Sequence, residues 1–435
     1  MAEYSDRESF IPYRRSDIVE FCIRDSGWND TDASSFRQFY DILAAHLHFR
    51  FHATFETLKD AFAPVNPDQD TVPRQPWSPA EQLLREEKML AEFRDVLRRA
   101  NYRELSERDL HAALETESLI PLNTFVDFHD YEPGRVVMYY RGLHQETIEL
   151  RKWPRKKTKT IDVFERIVLL IKFKPEGHFK KKKKFDRSNF IPGKMYLYLY
   201  KKVPKHDLDI LFPNVDVSMN WKDKLKFFVP AFGGLIPVIA KTLPNLLLII
   251  GVILFFTVGP EIASSWGADE RVVHNFLPLM TAVLSLGFVL GGFAVRQYLN
   301  YKNKRLKFLK NVTDTLFFKN IDCNMGVLST VLDAAEEEET KEILLAYYFI
   351  LRHPGLTRGE IDDRIERWLE EKFGTRIDFD IDKALAHARD ASMDGRQLVY
   401  TAADERYYAL SVHDAKQLID RVWDHAFQYN TVLNA

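Results

Sequence analysis

The chain is 435 residues long, 46% hydrophobic and 29% charged, which implies two to four modules and excludes disorder, a collagen-like repeat and a disulfide scaffold. Charge is segregated along it: residues 1–150 sum to −11, residues 151–205 to +15 and residues 206–435 to −6, which give the net −2. Cys22 and Cys323 lie far apart, in no metal-ligand or disulfide spacing, and suit a reducing compartment.

The first ten residues are polar and include Asp6 and Glu8, a pattern that fits neither a secretory signal nor a transit peptide. A helical N-terminal module is expected over residues 1–118. Phe36, Phe39, Leu43, Leu47, Phe51, Phe55, Leu58 and Phe62 recur every three or four residues, which makes one apolar stripe on a long helix. Ser78, Pro79 and Glu81 supply an N-cap, a first-turn proline and a capping-box acid for the next helix. On the first of these helices His48 and His52 share a face at i,i+4, but His46 does not, and nothing in the sequence nominates a further ligand. Packed or solvent-facing histidines are preferred to a metal site.

A small basic β-rich module follows over residues 119–218. Residues 135–140, 161–173 and 195–200 carry β-forming residues, the last two with period-2 alternation. Residues 151–157 and the run Lys180, Lys181, Lys182, Lys183 and Lys184 hold much of its positive charge. Three readings compete for them: a solvated lysine loop, anionic lipid headgroups and nucleic acid. Nucleic acid is disfavoured. The candidate lipid contacts are Arg155, Lys156, Lys157 and Lys180 to Lys184.

Residues 243–262 and 276–295 are apolar runs of bilayer-spanning length, with no charge before Glu261 in the first and none in the second. They predict transmembrane helices over 242–262 and 276–297, preceded by a membrane-approach segment over 219–241. Lys222, Lys224, Lys226 and Lys241 precede the pair, whereas Arg296, Lys302, Lys304, Arg305, Lys307 and Lys310 follow it. The positive-inside rule then puts both termini on the cytoplasmic side of a bacterial inner membrane, or the equivalent side of an organellar one. Gly287 and Gly291 form a GxxxG spacing that would let another helix approach, from the same hairpin or from a second copy.

Residues 10–15 (FIPYRR), 140–142 (YRG), 163–166 (VFER), 199–213 (LYKKVPKHDLDILFP) and 320–351, which contains AEEEETKEILLAY, resemble an uncharacterised membrane-protein family. That family, domain-of-unknown-function family 3754, includes transmembrane protein 143. The resemblance implies a two-span membrane protein with no established activity or cofactor, and it transfers no catalytic residue. Asp207 and Asp209, within one of these blocks, are read as capping or turn residues rather than an acid/base pair.

A helical linker module is expected over 298–353 and a winged-helix-like module over 354–435. In the latter Thr357 and Glu360 form a capping box, and a hairpin precedes the last helix. Its 11 basic against 16 acidic residues do not suit DNA, so protein docking around Trp368 or Trp423 is preferred. No nucleotide, hydrolase or metalloprotease motif is present, so no catalytic, cofactor-binding or metal residue is nominated. The sequence thus predicts an α+β integral membrane protein acting as a membrane-anchored scaffold or adaptor for anionic lipid and protein partners. A homo-oligomeric pore or membrane-remodelling protein, and an enzyme with an unrecognised site, are the alternatives.

Overall fold

The structure is a computed structural model that describes residues 7–69, 71–106, 108–110, 123–152, 155–180, 190–218, 276–374 and 376–427, with isolated positions between 247 and 257. The chain divides into two compact units. One comprises Met1–Glu115, Phe128–Leu208 and Lys319–Ala435; the other comprises Thr116–Asp127 and Asp209–Phe318.

Three helices open the first unit. Helix α1 (Arg15–Ser26) stops at Gly27, whose φ of 64° is the left-handed conformation that terminates helices. Helix α2 (Asp30–Phe62) starts where the Asn29 side chain accepts the backbone N–H of Asp32, and it buries the expected stripe from Phe36 to Phe62, with Phe55 half-buried. Helix α3 (Pro79–Arg99) forms both halves of the Ser78–Glu81 capping box.

In chain order the strands that follow are β1 (Arg103–Glu104), β2 (Asn123–Val126), β3 (Tyr131–Lys152), β4 (Arg155–Phe173), β5 (Met195–Pro204), β6 (Val215–Ser218) and β7 (Asn320–Cys323). Five of them make an antiparallel sheet in the order β1-β3-β4-β5-β7. The basic strands therefore take their edge partners from Arg103–Glu104 and Asn320–Cys323. Central strand β4 is buried on both faces from Ile167 to Ile171, not on one face as its alternation predicts. Tyr196, Tyr198 and Tyr200 of β5 stack at 6.3 and 6.0 Å, with Tyr196 and Tyr200 buried.

Helix α4 (Phe276–Lys319) leads into β7, and α5 (Met325–Arg352) then runs through the first unit as its spine. The N-terminal part of α5, with Val327, Leu328 and Val331, joins the core between the sheet and α2 and α3. Its C-terminal part, residues 343–350, joins a second core with α1, α6 (Arg358–Phe373), α7 (Ile381–Asp390) and α8 (Val412–Asp424). Short ladders of β8 (Ser392–Met393) with β9 (Arg396–Gln397), and of β10 (Val399–Thr401) with β11 (Tyr407–Ala409), lie between α7 and α8.

The second unit contains the β2–β6 ladder and most of α4. Among the described residues no helix is long and apolar enough to cross a membrane. This contradicts the integral membrane, multi-pass placement, the transmembrane reading of 276–297 and the orientation of the termini derived from it, whereas the 242–262 span lies almost wholly outside the described residues. The fold is instead a mixed helix-and-sheet one built on a five-stranded antiparallel sheet. Of the first apolar run only isolated positions are described, and the 219–241 approach segment lies outside the described residues. The second run is not a helix in its own right. It is the first half of the 44-residue α4, which continues through Arg296, Lys302 and Lys310 to Lys319, so the uncharged window and the helix end in different places.

Candidate functional site

The greatest concentration of ionisable groups inside the first unit lies on α5, between its two apolar cores. Glu336, Glu338, Glu339, Lys341 and Glu342 are all buried there. Charges removed from water must be paired, and each of these reaches a different part of the chain. Glu336 accepts from the Arg15 guanidinium at 2.9 Å and lies 2.9 Å from Nδ1 of His48. Glu338 accepts the backbone N–H of Ile11 at 3.1 Å and the Asn101 amide at 3.2 Å. Lys341 donates to the carbonyls of Ile11 and Tyr13 at 2.7 and 3.1 Å, and its Nζ lies 2.5 Å from Glu338.

One turn on, Glu339 accepts from Arg99 at 2.7 Å and sits 3.0 Å from the His387 ring. Burial pushes the Glu339 carboxyl up, but His387 and the Arg99 guanidinium outweigh it and hold the group below its ordinary range. Glu342 accepts from Lys383 at 2.9 Å and from Asn101 at 3.0 Å, both at Oε1. Its Oε2 is buried with no hydrogen-bond partner. Burial pushes Glu342 up to about 7, against the pull of Lys383 and Asn101. Lys383 in turn donates to the Arg99 carbonyl and to Asn101 Oδ1, which ties α7 to the end of α3.

Around this row the segments at residues 10–15, 140–142 and 335–347 meet. The Arg141 guanidinium lies 4.1 Å from the centre of the Phe10 ring, and Lys341 lies 5.1 Å from it. Residues 10–15, 140–142 and 335–347 thus share one cation–π and ion-pair cluster. The charge of the run at 336–342 hides its burial, which no sequence motif announces. The signal was its position between apolar stretches on one uninterrupted helix, since a solvated charge run seldom continues into eight consecutive buried residues at 343–350.

The other sequence candidates fall elsewhere. His46 is buried with Nδ1 unpartnered, and burial together with the Arg50 charge pushes it down, whereas the His48 side chain is exposed and faces Glu336. Among the described residues no group of three or more His, Cys, Asp or Glu side chains is placed to hold a metal ion. Asp209 accepts the adjacent Ile210 N–H at 3.0 Å, while Asp207 lies 3.7 Å from the His206 ring. Gly287 and Gly291 sit on α4 with open space where a Cβ would project.

Trp368 is buried and packs its ring against Phe349 and Phe373 at 5.7 and 5.5 Å. Trp423, near the end of α8, is 41% exposed, and Phe427 is 60% exposed; each packs edge-on to Phe49 of α2 at 5.5 Å. Arg155, Lys156 and Lys157 open strand β4, paired with Lys152, Arg151 and Leu150 of β3. Lys180 is exposed just past a one-turn helix, and Lys181 to Lys184 lie outside the described residues.

No solved structure matches the chain. Residues 164–326, a little over a third of the chain running from within β4 to just past β7, match the family model described as "Protein of unknown function (DUF3754)".

Proposed function

We propose that this chain is a non-enzymatic scaffold or adaptor that contacts protein partners and anionic lipid. The observation that carries the reading is the aromatic cluster of Trp423 and Phe427 over Phe49, left at the surface of the first unit. Aromatic side chains at the surface are the usual energetic anchors of protein interfaces. The surrounding C-terminal module has 16 acidic against 11 basic residues, and α8 itself carries Asp414, Asp420 and Asp424. The partner that fits is a basic segment presenting an apolar side chain to the two rings.

The buried carboxylates support the same reading from the other side. Glu336, Glu338, Glu339 and Glu342 hold the N-terminal segment, α3 and α7 onto α5, a structural employment for groups that could otherwise serve chemistry. Likeness of the blocks at residues 10–15, 140–142 and 335–347 supports a kinship with transmembrane protein 143. The test is crosslinking in cells followed by mass spectrometry, on the full chain and on its Trp423→Ala/Phe427→Ala variant. The adaptor reading expects a stable partner with a basic contact segment, lost from the variant while the melting curve is unchanged. Equal capture by both proteins, or turnover of a metabolite by the purified chain, refutes it.

A further inference from the structure

Residues 7–13 lie in neither a helix nor a sheet, yet four separate parts of the first unit grip them. From α5, Glu338 accepts the Ile11 N–H at 3.1 Å, and Lys341 donates to the Ile11 and Tyr13 carbonyls at 2.7 and 3.1 Å. From the turn after α3, Asn101 donates to the Ser9 carbonyl at 2.9 Å. From the segment between α6 and α7, the Asp378 N–H donates to the Glu8 carbonyl at 2.9 Å, beside an isolated parallel bridge between Glu8 and Ile377. From β3, the Leu143 N–H donates to the Glu8 carboxylate at 2.7 Å, and the Arg141 guanidinium covers the Phe10 ring. An extended peptide is recognised in this way, with main-chain bonds for affinity and side-chain contacts for selection. Selection here falls on Phe10, between Arg141 and Lys341, and on Ile11, which is fully buried.

The walls of this groove are joined to one another without their occupant. Lys383 bonds the Arg99 carbonyl, Asn101 and Glu342, and Arg141 donates to the Ala100 carbonyl at 3.3 Å, so α3, α5, α7 and β3 are tied directly. Release of residues 7–13 breaks no helix and only the single Glu8–Ile377 bridge. It returns to water the charged pair Glu338 and Lys341, which stays 2.5 Å apart. Charged walls gain hydration on opening, whereas apolar walls would lose by it. Of the segment itself, Ile11 alone is buried.

We infer that this groove is a peptide-binding site that residues 7–13 fill reversibly from within the chain, and that it accepts the same extended segment when a second copy supplies it. An identical segment makes identical contacts, so the exchange costs little beyond the opening itself. The site uses neither Trp423 nor Phe427 and does not rest on the adaptor reading. The probe is a fluorescent peptide of residues 7–15, its binding to the full chain followed by anisotropy. The unaltered chain, with its groove filled, should bind weakly, because apparent affinity scales with the open fraction. The Phe10→Ala/Ile11→Ala chain, whose own segment holds less well, should bind about 100-fold more tightly or better.

Adding Arg141→Ala to that chain, or replacing Phe10 and Ile11 of the peptide with Ala, should abolish the gain. No gain in the folded double variant, or a gain that the altered peptide keeps, overturns the inference. Amide hydrogen exchange on the unaltered chain decides the matter even where the variant does not fold. The amides of Ile11, Leu143 and Asp378 sit on three different elements and are freed together when the segment leaves. They should exchange about 10-fold faster or more than those of residues 344–350 in α5. Equal protection means that residues 7–13 leave only on global unfolding, and it overturns the inference.

Discussion

Glu342→Gln tests the electrostatics of the α5 row in a way that overall stability cannot. In the folded chain the Glu342 carboxyl titrates at about 7, against an ordinary value of 4.5. Between those values the folded protein holds a proton that the unfolded chain has released, so stability falls as pH rises across this window. The difference corresponds to about 3 kcal/mol between pH 4 and pH 8. Glutamine keeps an acceptor for Lys383 and Asn101 but cannot titrate. Glu339, held below its ordinary range, loses its contribution as pH falls, but it does so in both proteins and cancels in the comparison. Urea unfolding followed by tryptophan fluorescence, at intervals across this range, should therefore show the variant gaining about 3 kcal/mol relative to wild type as pH rises. The sign at any single pH depends on how Lys383 tolerates a neutral partner; the slope does not. Parallel curves for the two proteins would refute the argument.

Arg99→Ala removes the guanidinium from the fully buried Glu339 and should cost about 3–5 kcal/mol, measured by the same unfolding assay. Gly142 has φ of 72°, and a Cβ there would lie 2.8 Å from Cβ of Glu165 on the paired strand, so Gly142→Ala should destabilise by about 1–3 kcal/mol, read as a lowered melting temperature. Cys323 is exposed and Cys22 buried, so a thiol reagent should label Cys323 in the native protein and Cys22 only after denaturation; simultaneous labelling of both would contradict the packing of α1 on α5.

Local signals were legible in the sequence. The α2 stripe, the Ser78 and Thr357 capping boxes and the alternation of β5 each depend on residues within a few positions, and each forms as read. What escaped depends on distance along the chain. Asn320–Cys323 gives no strand signal by itself, yet it completes a sheet begun more than a hundred residues earlier because Leu199 supplies a partner for Asp322. The run at 336–342 looks like a solvated face until Arg15, Arg99 and Lys383 arrive to pair with it. Length and hydropathy misled at residues 276–295, where the uncharged window is embedded in a longer helix with a basic second half. Of the docking candidates, Trp368 and Trp423 share an apolar spacing on their helices. Only the folded chain shows that Phe349 and Phe373 enclose the first while the second stays at the surface.

The adaptor reading is tested most directly by photocrosslinking in cells, with benzoylphenylalanine in place of Phe427 in the full chain and, as a control, in place of exposed Lys88. The account predicts a discrete protein adduct from the Phe427 position, mapped by mass spectrometry to a basic, apolar segment of the partner, and none from Lys88. No adduct at Phe427, or the same adducts from both positions, would contradict it.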